Sequence, residues 1–189
     1  MAASYNNIGN VYDSQGKYEE ALEMYTKSGD IMTRIYGGDN HPDVATSFNN
    51  IGAVYEGKGD FENALVQFQK ALEIRTRVFG SDHPDVAASY NNIGNVYLAK
   101  GDLENALVQH QKALEIKTRV FGSEHPDVMN SFYNLACVYA TRDSMLCRDM
   151  LLMAEQTGFL YLLKEHMKTD SDLDAVRELE WCKELVGRI

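Results

Sequence analysis

Three histidines, His41, His83 and His125, recur at the head of successive repeats, and imidazoles at fixed spacing are natural first candidates for metal ligands. Packed helices lie about 8–10 Å apart axis to axis, whereas one ion needs its nitrogens within about 2 Å. One shared site is therefore implausible, and hydrogen bonding at the repeat junctions is the better reading. His110 stands where the preceding repeat has Phe68, and is expected as a half-buried histidine with a local partner. Cys137, Cys147 and Cys182 lack Cys-x-x-Cys spacing, so neither a disulfide framework nor a zinc site is indicated. No histidine adjoins Cys137 to activate it, and no phosphate loop, metal-ligand helix or nucleophile elbow is present. The chain is read as a non-enzyme without a cofactor or a metal.

Asparagine offers a different chemistry. Asn6-Asn7, Asn49-Asn50 and Asn91-Asn92 recur as pairs, with Asn134 at the same place in a fourth repeat. An amide both donates and accepts, so a row of them can bond the backbone of an extended peptide whatever its side chains. The competing reading is that one asparagine of each pair bridges adjacent helices.

These residues need elements to hold them in a row, and the chain supplies them by repetition. Residues 41–82 and 83–124 align without a gap and differ at only nine of 42 positions. A third copy fills about 2–40, and a degraded fourth fills about 125–157. Within the second copy, Val44, Phe48, Ile51, Gly52 and Tyr55 keep helical spacing, and so do Phe61, Ala64, Leu65, Phe68, Ala71 and Leu72. Asp60 is placed to cap the second helix and Gly80 to end it, while Pro84 and Asp85 suit the first turn of the next. Each copy is thus two helices of unequal length, the second about five turns. Gly9, Gly52 and Gly94 sit mid-helix, where glycine costs roughly 1 kcal/mol relative to alanine. Their recurrence predicts a facing helix too close for a side chain, with Ala21, Ala64 and Ala106 as the matching small face. One pair cannot bury both stripes, so neighbours must stack.

The pattern Asn-Asn-Ile-Gly-x-Val-Tyr, followed by Ala64-x-x-x-Phe68-x-x-Ala71-Leu72, resembles the tetratricopeptide repeat. The 42-residue period and the Gly-Ser-Asp-His-Pro-Asp-Val junction resemble its kinesin-light-chain and nephrocystin-like subclass. The resemblance implies an all-α, right-handed superhelical solenoid of antiparallel helix pairs. It also implies that the first helix of each pair lines the concave surface. Residues 1–157 are expected to hold four pairs, and residues 158–189 a C-terminal cap of short helices around the polar break Thr169–Asp172, with Trp181 as an anchor. The first helix lacks a His-Pro-Asp-Val lead-in. A fragment of a longer array, or end-to-end self-association through that uncapped end, is the expectation.

On the concave stripe the expected peptide-binding residues are Asn6, Asn7 and Asn10 in the first copy, and Thr46, Asn49, Asn50 and Glu56 in the second. Asn91, Asn92, Asn95 and Leu98 follow in the third, and Tyr133 and Asn134 in the fourth, with Leu98 and Tyr133 as apolar anchors. Four of the nine differences between the two closest copies fall on this stripe, as recognition of an asymmetric ligand would require. Relatives that bind chaperone tails clamp a carboxylate with lysines and arginines here, and no stripe residue is basic.

The net charge of −10 disfavours nucleic acid and anionic membrane, and no run of 18 apolar residues exists. The partner is expected to be a neutral or basic protein or peptide, and the compartment cytoplasmic. The alternatives are a structural self-assembly module and the regulatory or cargo-binding arm of a larger motor or signalling protein.

Overall fold

The computed structural model describes residues 1–155 and 167–188. All regular structure among these residues is helical. The helices run α1 (Ala2–Ser14), α2 (Tyr18–Tyr36), α3 (Pro42–Gly57), α4 (Phe61–Phe79), α5 (Pro84–Ala99), α6 (Leu103–Phe121), α7 (Pro126–Ala140) and α8 (Ser144–Glu155). A 3-10 turn (Ser171–Leu173) and two short helices, α9 (Asp174–Arg177) and α10 (Glu180–Arg188), follow. The chain forms two compact units, Met1–Lys100 and Gly101–Ile189.

The repeat supplies its own starts and stops. Asp60 and Asp102 accept from the amides of Asn63 and Asn105 at 3.2 Å, capping α4 and α6. Asp143 does the same for α8 through Met145 and Leu146. The first copy has Lys17 at this place, and α2 carries no side-chain cap. Gly59 and Gly80 have φ of +75° and +85°, a region that side chains rarely adopt, so the sharp turns fall there. Both the turn and the helix end stand where the sequence predicts them.

In the first unit, α1 through α5 pack in chain order. Ala2 lies against Ser28 and Gly9 against Tyr25, so α1 and α2 run antiparallel. One core cluster joins Ala21, Tyr25 and Val54, and another joins Val44, Ala45, Ala71 and Ile74. The close approach predicted at the helical glycines is real, but its partner is a ring rather than a backbone. A Cβ on Gly9 would stand 2.7 Å from the Tyr25 ring, and one on Gly52 would stand 2.8 Å from Phe68. Lys58 pairs with Glu19 and Lys100 with Glu62 across the copies. Exposed pairs of this kind contribute about 0–1 kcal/mol, so they mark the register more than they hold it.

In the second unit, α6, α7 and α8 pack in order, and the 3-10 turn and α9 lie on α7. Cys147 and Ala154 are fully buried on α8, the small-residue slots predicted for the degraded copy. Leu173, Val176 and Leu185 anchor the tail in its core, whereas Trp181 is only half-buried. The polar break at Thr169–Asp172 contains the start of the 3-10 turn, and the part of the expected cap at 158–166 lies outside the described residues.

Candidate peptide-binding face

In the first unit, α1, α3 and α5 stand side by side, and the asparagines tie them together. Asn50 donates from Nδ2 to Asn6 Oδ1 at 2.8 Å, and Asn92 donates to Asn49 Oδ1 at the same distance. The second asparagine of each copy therefore reaches the first asparagine of the copy before. The structure shows the bridging reading of the pair, and each bridge uses one donor of an amide that has two. The pairs fix the spacing of the helices and keep amide groups at the surface.

Around this ladder the predicted residues differ in access. Asn7, Asn10, Thr46 and Asn95 are exposed, while Asn6, Asn49, Asn50, Asn92, Glu56 and Leu98 are half-buried. Asn91 retains only 8 % of its surface and lies mostly beneath the face. Asn10 accepts from the Tyr25 hydroxyl at 2.7 Å. The Thr46 hydroxyl turns back to the Pro42 carbonyl at 3.1 Å. Burial raises the pKa of Glu56 above the usual carboxylate value.

A basic side chain does reach the stripe, from a helix that the sequence reading did not consider. Arg75 of α4 donates from Nη1 to Ser89 Oγ at 2.8 Å, and to Asn49 Oδ1 and the Asp85 carbonyl at 3.4 Å each. Burial lowers its pKa, and the charge of Asp85 opposes that shift. In the second unit Lys117 takes the corresponding place, with Nζ 3.3 Å from the Asp127 carbonyl. The sequence held a signal for this. Ile31-Met32-Thr33, Ile74-Arg75-Thr76 and Ile116-Lys117-Thr118 share their flanks and differ at the centre.

Tyr133 requires a correction. Expected as an apolar anchor open to ligand, it keeps 5 % of its surface, and its hydroxyl donates to Asp170 Oδ2 at 2.5 Å. Cys137 Sγ lies 3.9 Å from the same oxygen, and Asp170 also caps the 3-10 turn through the Asp172 amide. The tail covers this part of α7, and Asn134 beside it is half-buried. Burial, then the charge of Asp170, pushes the Cys137 thiol well above its ordinary pKa, so it is not a thiolate at neutral pH.

The repeating histidines are helix caps, as their junction position predicts. Nδ1 of His41, His83 and His125 accepts from the amides of Asp43, Asp85 and Asp127 at 3.2 Å. Each ring also stacks on an aromatic ring, that of Tyr36, Phe79 or Phe121. His110 departs from the expectation of half-burial, because it is fully enclosed. Among the described residues no three histidine, cysteine or acidic side chains converge as a metal site would need, and no helix is long and apolar enough to cross a membrane.

The profile of the tetratricopeptide repeat matches residues 1–76, 43–118 and 85–144. Among solved structures, BtubC (BKLC) from P. vanneervenii is similar with a TM-score of 0.74 and 29% identity, over 83% of this chain and 63% of that one. A kinesin light chain-like protein of Podosopora anserina with nearly identical TPR-like repeats has a TM-score of 0.73 at 18% identity, over 98% of this chain and 92% of its own. A single-residue variant of that protein gives 0.74 and 19%, covering 98% and 91%. At those identities the last two show the fold alone. The chain spans 63% of the length of the BtubC chain. Curated protein sequences give no match.

Proposed function

Because the chain belongs to the tetratricopeptide repeat family, we propose that it is a protein-interaction scaffold whose face on α1, α3 and α5 takes an extended peptide. The observation that carries this reading is the amide ladder, Asn50 to Asn6 and Asn92 to Asn49, flanked by the exposed Asn7, Asn10, Thr46 and Asn95. The bridges engage both asparagines of the second copy, Asn49 as acceptor and Asn50 as donor, and each uses one N–H of an amide that has two. The exposed amides of Asn7, Asn10 and Asn95 add donors and acceptors beside the ladder. Glu56 and the net charge of −10 favour a neutral or basic peptide over an acidic one or a nucleic acid. The three thiols are unpaired and buried, which suits the reducing cytoplasm. We read the chain as a non-enzyme, since burial holds the Cys137 thiol of the fourth copy protonated.

The test is a peptide-library selection on the wild type and on Asn7→Ala/Thr46→Ala/Asn95→Ala. These exposed side chains make no bond to another helix, so folding should be spared. Peptides that bind the parent and lose most of their affinity for the variant are the expected outcome. Peptides indifferent to the triple change would move the site off this face.

A second reading, end-to-end self-association, has one observation in its favour. Val11 is 54 % exposed, whereas its counterpart Val54 is fully covered by the first copy. On this reading the mass in sedimentation rises with concentration and Val11→Glu abolishes the rise; a mass that stays monomeric throughout removes the reading.

A further inference from the structure

At the junction of the first and second copies lies a cavity of about 270 Å³, lined by Asn6, Ser28, Met32, Asp43 and Ser47 among others. One repeat further along, Asn49, Asp85 and Ser89 occupy the corresponding positions, and there the guanidinium of Arg75 bonds to all three. Asparagine, aspartate and serine are the same in both junctions; the cation is not. Met32 replaces Arg75, and its uncharged side chain packs on the cluster of Val44, Ala45, Ala71 and Ile74.

The acceptors at the first junction are arranged as they are in the filled one. Ser47 Oγ donates to the Asp43 carbonyl at 3.3 Å, just as Ser89 donates to Asp85 at 3.1 Å. Both serines are buried, and each hydroxyl keeps lone pairs to accept. Ser28 adds an oxygen that the next junction lacks, since Ala71 stands there; its own proton goes to the Ala2 carbonyl at 3.0 Å. The Asp43 carboxylate, which accepts from Tyr36 at 2.8 Å, brings negative charge to the wall. Water fills about 30 Å³ per molecule in the liquid, so the space admits a side-chain head together with some solvent.

We propose that this cavity is a subsite for the guanidinium of a partner's arginine, supplied by the ligand where the next junction supplies it from its own chain. The site rests on the peptide-binding reading and sharpens it, since it lies beside Asn6 at the edge of the amide ladder. Lysine is the weaker alternative: a single ammonium makes the simpler contact that Lys117 makes to the Asp127 carbonyl, without the planar fork of arginine.

The test is a titration of the whole chain with acetyl-arginine-methylamide, followed by amide NMR shifts, with the citrulline compound as a neutral isostere. Saturable shifts at Asn6, Ser28, Met32 and Ser47 are expected, with citrulline roughly tenfold weaker or more because charged hydrogen bonds exceed neutral ones. Met32→Arg should fill the cavity from within and abolish the shifts, while Met32→Leu should keep them. Should Met32→Arg fail to fold, Asp43→Asn keeps the backbone acceptors, removes the charge, and should weaken binding severalfold. Absence of saturable shifts there, equal binding of citrulline, or full binding by Met32→Arg each overturns the subsite. Library peptides that lack basic residues and ignore Met32→Arg would keep the peptide face while removing this subsite. Arginine saturation without any enriched peptide would do the reverse.

Discussion

At position 110 the third copy carries a histidine where the second carries Phe68, and the two side chains are alike in being fully enclosed. Burial lowers the pKa of His110 to about 4, with the charge of Lys117 adding to the shift. In the unfolded chain it titrates near 6.5, so below that pH the unfolded state takes up a proton that the folded state refuses. The stability is therefore intact above pH 6.5 and declines as pH falls toward 4, by about 2 kcal/mol at pH 5. Urea unfolding at pH 7 and pH 5 should show this loss in the wild type and lack it in His110→Phe; equal losses in both would assign the effect elsewhere. Gly52 gives a second test at this scale. Alanine would gain roughly 1 kcal/mol in helix propensity, but its Cβ would stand 2.8 Å from the Phe68 ring. Overpacking of this kind costs about 1–3 kcal/mol, so Gly52→Ala should lower the melting temperature, and Phe68→Leu should relieve part of the effect. A rise in the melting temperature would mean that the ring moves aside freely.

Elements here are positioned by a few cross-helix bonds that no helix could predict for itself. The short tail helices are an example, since α9 has only four residues and could not persist alone in water. They stay because Leu173 and Val176 are buried and because Tyr133 of α7 donates to Asp170. A hydrogen bond to a charged group contributes about 1.5–3 kcal/mol. Tyr133→Phe should therefore speed amide exchange in Leu173–Val176 by roughly tenfold or more while leaving α3 and α4 as they were. Unchanged exchange in the tail would show that apolar burial alone holds it. The same contact explains why Tyr133 and Cys137 of the fourth copy are covered: Asp170 of the tail already meets them.

For the molecule as a whole, the proposed function predicts that an acidic chain taking a basic peptide shows its charge in the kinetics. A net charge of −10 steers cations toward the surface. Raising the salt from about 50 to about 500 mM shortens the screening length severalfold. Association with an arginine-bearing peptide should then slow severalfold, with a smaller change in dissociation. A rate insensitive to salt would show that the long-range field takes no part in the encounter.

The repeat, the helix pairs, the aspartate and histidine positions at the helix starts and the glycine turns were legible in the residues, because each rests on periodicity or on contacts within a few residues. The asparagine pairs recur with the same period, which places them on one stripe of the first helices. Tertiary structure alone decided which member of each pair donates, that Asn91 sinks below the surface, and that Tyr133 is taken by Asp170, 37 residues further along the chain. It also decided that Arg75 crosses from a second helix into the ladder of the first helices. These are contacts between residues far apart in sequence, where helical spacing fixes which face a side chain takes but not which neighbour arrives to meet it.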